Sequence, residues 1–225
     1  MRKLLFALTV LTTTISCQNQ TKPDKQTDAK TETIDLVQKE KNEAIEKAKT
    51  DSITKLNEAK KEEYKRRLKA LKKNFNFKKD EFNNTAWYLH KNQTVDNAWN
   101  RKCLKTHINS DGYIYLEDQY YSDDWIFHTS IQVKIGENIY NSSIVETYNE
   151  NNATQNSDGS VWEKISYTDD KDYNIIRAIA ESGDKPVKVR FVGKQYNSDF
   201  TLSNKDKKAI KEGYELAYLL KKVEK

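Results

Sequence analysis

Residues 113–135 read YIYLEDQYYSDDWIFHTSIQVKI, and their apolar side chains recur with a period of two in the runs Tyr113 to Tyr120 and Trp125 to Ile135. That period is the mark of strands with one face against a core. On either side the same alternation predicts strands at Thr85 to Lys91, Arg101 to Ile108, Ile139 to Tyr148, Val161 to Thr168 and Val187 to Gly193. Asn109-Ser110-Asp111-Gly112 and Gly136-Glu137-Asn138 separate neighbouring runs and read as hairpin turns. Two segments change to a helical period. Tyr173 to Ser182 follows the acidic Asp169, Asp170 and Asp172, which suit a helix N-terminus. Asp206 to Lys222 follows Ser203, with Asp206 completing an approximate capping box, and Ile210, Tyr214, Ala217 and Leu220 form its apolar face. Residues 80–225 therefore read as an antiparallel α+β domain, long enough to bury roughly two thirds of its unfolded surface.

Upstream the pattern is helical. Written in rows of eleven from Ile34, the sequence repeats as IDLVQKEKNEA, IEKAKTDSITK, LNEAKKEEYKR and RLKALKKNFNF. Eleven residues in three turns favour a straight stripe, and neither Gly nor Pro interrupts residues 32–79, which predicts one long charged helix. With Ala in alternate slots the stripe is thin. The plainest expectation is a solvated spacer docking lightly on its own domain; self-association through residues 34–75 and a membrane-surface helix are the competing readings. Residues 60–79 hold 10 basic and 2 acidic side chains, the source of most of the net charge of +5. Lys65, Arg66, Arg67, Lys69, Lys72 and Lys73 are thus candidate contacts for an anionic polymer or lipid, against the plainer reading of a solvated helix end.

Ahead of the helix, residues 17–31 are polar after Cys17 and read as a tether. Arg2 and Lys3, the apolar Leu4 to Ile15, and Thr14-Ile15-Ser16-Cys17 resemble a lipoprotein signal peptide over residues 1–16, with Thr14 where Leu is usual. The resemblance implies acylation of Cys17, membrane attachment through that lipid, and a place outside the cytoplasm, where nucleic acid is not an expected partner. An ordinary secretory signal is the competing reading. Cys103 would then be the one thiol remaining, and burial is its expected state.

The stretches YYSDDWIF (Tyr120 to Phe127), VWE (Val161 to Glu163), IIRAIA (Ile175 to Ala180) and VKVRFVGKQYNSDFTLS (Val187 to Ser203), running into a terminal helix, resemble an uncharacterised domain of secreted and prophage-encoded bacterial proteins. This implies a compact extracytoplasmic module carried on varied N-terminal anchors. It brings neither an activity nor site residues.

Composition excludes several classes. With 6 Gly, 2 Pro and 2 Cys in 225 residues, the chain is neither a collagen nor a disulfide-stapled mini-protein, while 4 Trp, 13 Tyr and 7 Phe argue against wholesale disorder. No Walker loop, dinucleotide fingerprint or serine elbow occurs, so no cofactor is implied. Three scattered His residues lack zinc spacing, and Thr154 and Ile165 stand where a calcium loop needs carboxylates, leaving a polar hairpin loop as the better reading. His107 shares a strand face with Cys103, but at ~13 Å it is beyond reach of the thiol. The densest constellation is Tyr121, Asp123, Asp124 and Trp125, where rings could stack on sugars beside hydroxyl-accepting carboxylates; the plainer alternative puts the rings in the core and the acids in a turn. The expectation is a non-enzymatic, lipid-anchored module of the cell envelope that binds an envelope polymer or protein. An envelope hydrolase or transferase using carboxylates of the β-rich domain is the alternative.

Overall fold

The computed structural model describes residues 28–83, 85–94 and 98–223, with side chains from Gln38 onward. Its elements are helix α1 (Asp28–Lys72), strands β1 (Phe75–Asp80), β2 (Thr85–His90), β3 (Cys103–Asn109), β4 (Ile114–Ser122), β5 (Ser130–Ile135), β6 (Asn138–Asn141), β7 (Asn152–Ser157) and β8 (Ser160–Tyr167), helix α2 (Tyr173–Ala180), strands β9 (Val187–Val192) and β10 (Asn197–Thr201), and helix α3 (Asn204–Val223). The α+β class is the expected one. Contacts divide the chain into Met1–Thr54 and Lys55–Lys225. In the first unit the described backbone is helical, and its side chains from Gln38 are exposed, Ile45 and Ile53 included.

The second unit holds two antiparallel sheets. Six strands run β1-β2-β3-β4-β8-β7 and four run β10-β9-β5-β6. Alternation turns Leu104, Ile108, Leu116 and Ile165 of the larger sheet, Ile131, Val133, Val189 and Phe191 of the smaller, and Ile175, Ile176 and Ile179 of α2 into one core with Ile210, Leu216 and Leu220 of α3. The capping box forms as read: Asp206 N–H donates to Ser203 Oγ (3.1 Å) and that hydroxyl donates to Asp206 Oδ2 (2.7 Å). Asp206 also takes a bidentate pair from Arg101 at 2.6 and 2.8 Å, which ties the helix start to the segment before β3.

The turn before β4 fixes another close approach. Asn109 Oδ1 accepts the N–H groups of Asp111 and Tyr113, and Gly112 sits at φ +80° directly beneath α3. A Cβ there would stand 2.6 Å from the carbonyl oxygen of Ala217. Gly112→Ala is therefore expected to cost about 2–4 kcal/mol in urea unfolding, from left-handed strain plus overpacking. An unchanged midpoint would contradict the packing described.

Several expected boundaries need correction. The helix read at 32–79 begins at Asp28, inside the expected tether, and ends at Lys72. Residues 75–80 leave the repeat because they pair with β2, Phe75 opposite His90, while the Lys91 ammonium takes the terminal carbonyl of Lys73 at 2.7 Å. The compact unit accordingly starts at Lys55, well before 80. Tyr64, Leu68 and Leu71 dock on the core, Arg67 meets Glu215 at 2.6 Å and Tyr64 meets Tyr218 edge-on. The expected strand at 125–135 shortens to Ser130–Ile135, and the one at 139–148 to Asn138–Asn141. Strands β7 and β10 are polar segments that gain their pairing from β8 and β9. The signal peptide at 1–16, Cys17 and the tether as far as residue 27 lie outside the described residues.

Candidate ligand-binding face

The alternation that turns Leu104, Leu116 and Ile165 inward turns their neighbours outward. Across the three central strands of the larger sheet, Lys105 stands opposite Glu117, His107 opposite Tyr115, Cys103 opposite Gln119, Gln119 opposite Lys164, and Tyr121 opposite Trp162. Lys105 Nζ donates to Glu117 Oε1 at 3.1 Å and to Gln119 Oε1 at 3.2 Å. On the other side of the carboxylate, His107 Nε2 lies 3.4 Å from Glu117 Oε2, at ion-pair distance but without hydrogen-bond geometry. Aromatic rings close both ends. At one end His107 stacks on Tyr115 (centroids 4.8 Å apart, planes 6° apart) and Trp87 meets Tyr115 edge-on. At the other, Trp162 lies between Trp99 and Tyr121 at 5.1 and 5.3 Å.

This second aromatic group is held by the segment before β3. Gln119 Nε2 donates to the carbonyls of Trp99 and Arg101, and Trp162 Nε1 donates to Trp99 O at 2.8 Å. Cys103 lies beneath, fully buried, as expected. Burial pushes that thiol up to about 12, so it is not a thiolate nucleophile near neutral pH.

Burial raises the stakes for the charges on this face. Burial alone would raise the Glu117 carboxyl, but His107 and Lys105 outweigh it and hold it at about 2. Burial pulls the Lys164 ammonium below its ordinary value, and the neighbouring Lys105 charge adds to the effect. Lys164 Nζ sits 5.1 Å over the Trp99 ring. Burial also moves the Tyr115 hydroxyl up to about 12. The result is a row of charged groups, Lys105 buried and His107, Glu117 and Lys164 half-buried, between two aromatic groups.

The residues singled out from sequence do not all meet here. Tyr121 belongs to this face, half-buried, with its hydroxyl 3.3 Å from Ser160 Oγ. Trp125 turns away, stacks on Phe127 with planes 10° apart and packs on the core. Asp123 and Asp124 are exposed in the turn between them, where Asp124 O accepts the Tyr120 hydroxyl. Of the basic block, Lys65 pairs with Glu62, Arg67 with Glu215, and Lys72 sits over Tyr88; Arg66, Lys69 and Lys73 are exposed. The loop compared with a calcium site is the β7–β8 hairpin, turning at Asp158 and Gly159 with φ of 50° and 77°. Among the described residues no group of His, Cys, Asp and Glu could hold a metal ion.

Sequence reasoning missed a second constellation, in the core. His128 Nδ1 is 2.7 Å from Glu163 Oε2 and its Nε2 is 2.9 Å from Asp118 Oδ1. Glu163 also accepts the backbone N–H groups of Ile126, Phe127 and His128, while Asp118 accepts the Tyr167 hydroxyl and the Ile165 N–H. These carboxylates converge at no more than 1% exposure, with every partner supplied by the protein. The network is a clasp between the larger sheet and the chain entering β5, closed to any substrate. Elsewhere, a groove of about 400 Å³ is lined by Tyr113, Asp169, Asp170, Tyr173 and Lys221.

Comparison of the chain with protein-family models, curated proteins and solved structures gives no match.

Proposed function

We propose that this chain is a lipid-anchored, extracytoplasmic, non-enzymatic binding module of the bacterial cell envelope, which engages its ligand through the outer face of the six-stranded sheet. The observation that carries the binding surface is the row of half-buried His107, Glu117 and Lys164 around the buried Lys105, between Trp87 with Tyr115 and Trp99 with the buried Trp162. Rigid aromatic rings beside oriented charged groups are the usual composition of a recognition surface. The lipid anchor is supported by the charged, apolar and Ser16-Cys17 segments of the N-terminus. No helix among the described residues is long and apolar enough to cross a membrane.

Two measurements test this. Labelling with palmitate should mark the wild-type chain and fail in Cys17→Ser; retained label in the variant refutes the anchor. For the face, the Cys17→Ser chain is titrated with solubilised envelope polysaccharide while tryptophan emission is followed, since Trp87, Trp99 and Trp162 all lie there. The expected result is a saturable emission change whose midpoint moves about tenfold or more in Trp87→Ala, the loss of one stacking contact. Binding that ignores Trp87→Ala, with the variant folded by circular dichroism, assigns the ligand elsewhere.

A further inference from the structure

The charge balance of this face selects among ligands. Lys105 donates two of its three N–H groups to Glu117 and Gln119, and Glu117 divides its oxygens between Lys105 and His107. The single carboxylate of the row is thereby committed. Lys164 remains half-buried without an ion pair among the described residues; its charged neighbours are Lys105, which opposes its charge, and Glu117, which is already engaged. Two ammonium groups, Lys105 buried and Lys164 half-buried, stand beside a single carboxylate that only Lys105 contacts, which leaves the row with an excess of positive charge that an incoming anion would relieve. The aromatic walls add a second requirement. From Tyr115 to Tyr121 the face extends about 20 Å along β4, with Trp87 and Tyr115 half-buried at one end and Tyr121 half-buried and Trp99 exposed at the other, where Trp162 is buried between them. A ligand that satisfies both is flat, repeated along its length, and negatively charged on the ring itself.

We propose that the outer face takes a carboxylated sugar polymer of the uronic-acid type, its rings lying against the aromatic side chains and a ring carboxylate reaching the Lys164 ammonium. This rests on the binding-module reading above and names its ligand class. A phosphodiester polymer carries its charge between rings, and an acidic peptide has no saturated ring for the walls, so neither uses both halves of the face.

The test titrates the otherwise full chain, Cys17→Ser, with three probes followed by tryptophan emission and calorimetry: oligogalacturonate, the corresponding neutral oligogalactoside, and poly-glutamate of matched charge. Oligogalacturonate is expected to bind at least tenfold more tightly than either of the others, with an affinity that falls as salt rises. Lys164→Gln should remove that advantage, whereas Lys194→Gln, in the exposed turn after β9, should keep it. Equal binding of the neutral sugar overturns the anionic assignment while leaving the binding face intact, and equal binding of poly-glutamate overturns it in favour of an acidic peptide. If none of the three binds, the uronate class is wrong; the binding-module reading then fails as well only if envelope polysaccharide leaves the emission of the same protein unchanged.

Discussion

Glu163→Ala is expected to remove about 4 kcal/mol from the stability of the Lys55–Lys225 unit, the largest effect of any single substitution considered. The carboxylate accepts four hydrogen bonds, three from the consecutive backbone N–H groups of Ile126, Phe127 and His128 and one from the His128 ring. Phe127 holds φ at +49° to present its N–H, a conformation that costs a non-glycine residue energy and persists because the acceptor over-determines it. Truncation to Ala leaves the Ile126 and His128 donors buried without acceptors, strips the Phe127 N–H of its partner, and leaves the imidazolium with one carboxylate where it had two. Each orphaned donor costs roughly 1–3 kcal/mol and breaking a buried ion pair about 3–5 kcal/mol, with much of that shared. Against a total stability of about 5–15 kcal/mol the variant is expected to sit near its folding threshold. Glu163→Gln keeps one acceptor oxygen for Ile126 and Phe127 but turns an amide NH2 toward the His128 donors, so an intermediate loss of about 2 kcal/mol is expected. Urea unfolding of the three proteins checks the order. Superimposable curves would show that the 126–128 segment does not depend on this carboxylate.

That clasp also marks where reading the sequence stops. Trp125 to Ile135 alternates well enough to be read as one strand, yet residues 125–129 lie outside β5, the N–H groups of Ile126, Phe127 and His128 being taken by Glu163, some 35 positions downstream. Nothing local in WIFHT encodes that acceptor. The opposite failure occurs at β1, β7 and β10, where FNFKKD continues a helical repeat and NATQNS and NSDFT have little strand propensity. All three become strands because a neighbour with strong alternation offers a free ladder. By contrast, the Asn109–Gly112 turn, the Ser203 cap, α2, α3 and the inner halves of β3, β4, β8 and β9 follow directly from local chemistry. The proposed binding face is half legible. In KCLKTHI the apolar parity Leu104 and Ile108 is plain, but the other parity, Cys103, Lys105 and His107, reads as a solvated surface until Glu117, Tyr115 and Lys164 are placed beside it. Tyr121 stands near Trp125 in the sequence, but the turn at Asp123 and Asp124 separates them, and Trp125 shares neither its neighbours nor its face.

Folding stability is expected to fall as the pH rises from 6.5 to 9, because the clasp is built around a protonated histidine. Both ring nitrogens of His128 face carboxylate oxygens, Nδ1 toward Glu163 and Nε2 toward Asp118, so both must carry hydrogen to donate. Burial works against the charged ring, but the charges and hydrogen bonds of Asp118 and Glu163 outweigh it and raise the group to about 9. The remaining neighbours do not compensate for a lost proton: Tyr120 and Phe191 present rings, and the Tyr167 hydroxyl, which burial and Asp118 push well above its ordinary value, stays neutral. In the unfolded chain the imidazole titrates near 6.5. The stabilisation is therefore complete below pH 6.5, where both states bind the proton, and declines above it as the unfolded chain alone releases its proton, until the folded ring deprotonates near 9. A displacement of this size corresponds to about 3 kcal/mol. Beyond pH 9 the buried Cys103 thiol, held up at about 12, adds to the loss because it ionises more readily in the unfolded chain. The acid side has the opposite sign. Burial opposes the charged forms of Glu163 and Glu117, but their partners win and lower both, so their contribution is present above about pH 4.5 and disappears as the pH falls, toward about 2 for Glu117. Urea titrations from pH 3 to 10 should trace a maximum between roughly pH 4.5 and 6.5. A plateau extending from 6.5 to 9 would mean that His128 is neutral in the folded protein, and that the two buried carboxylates are held together by some other proton.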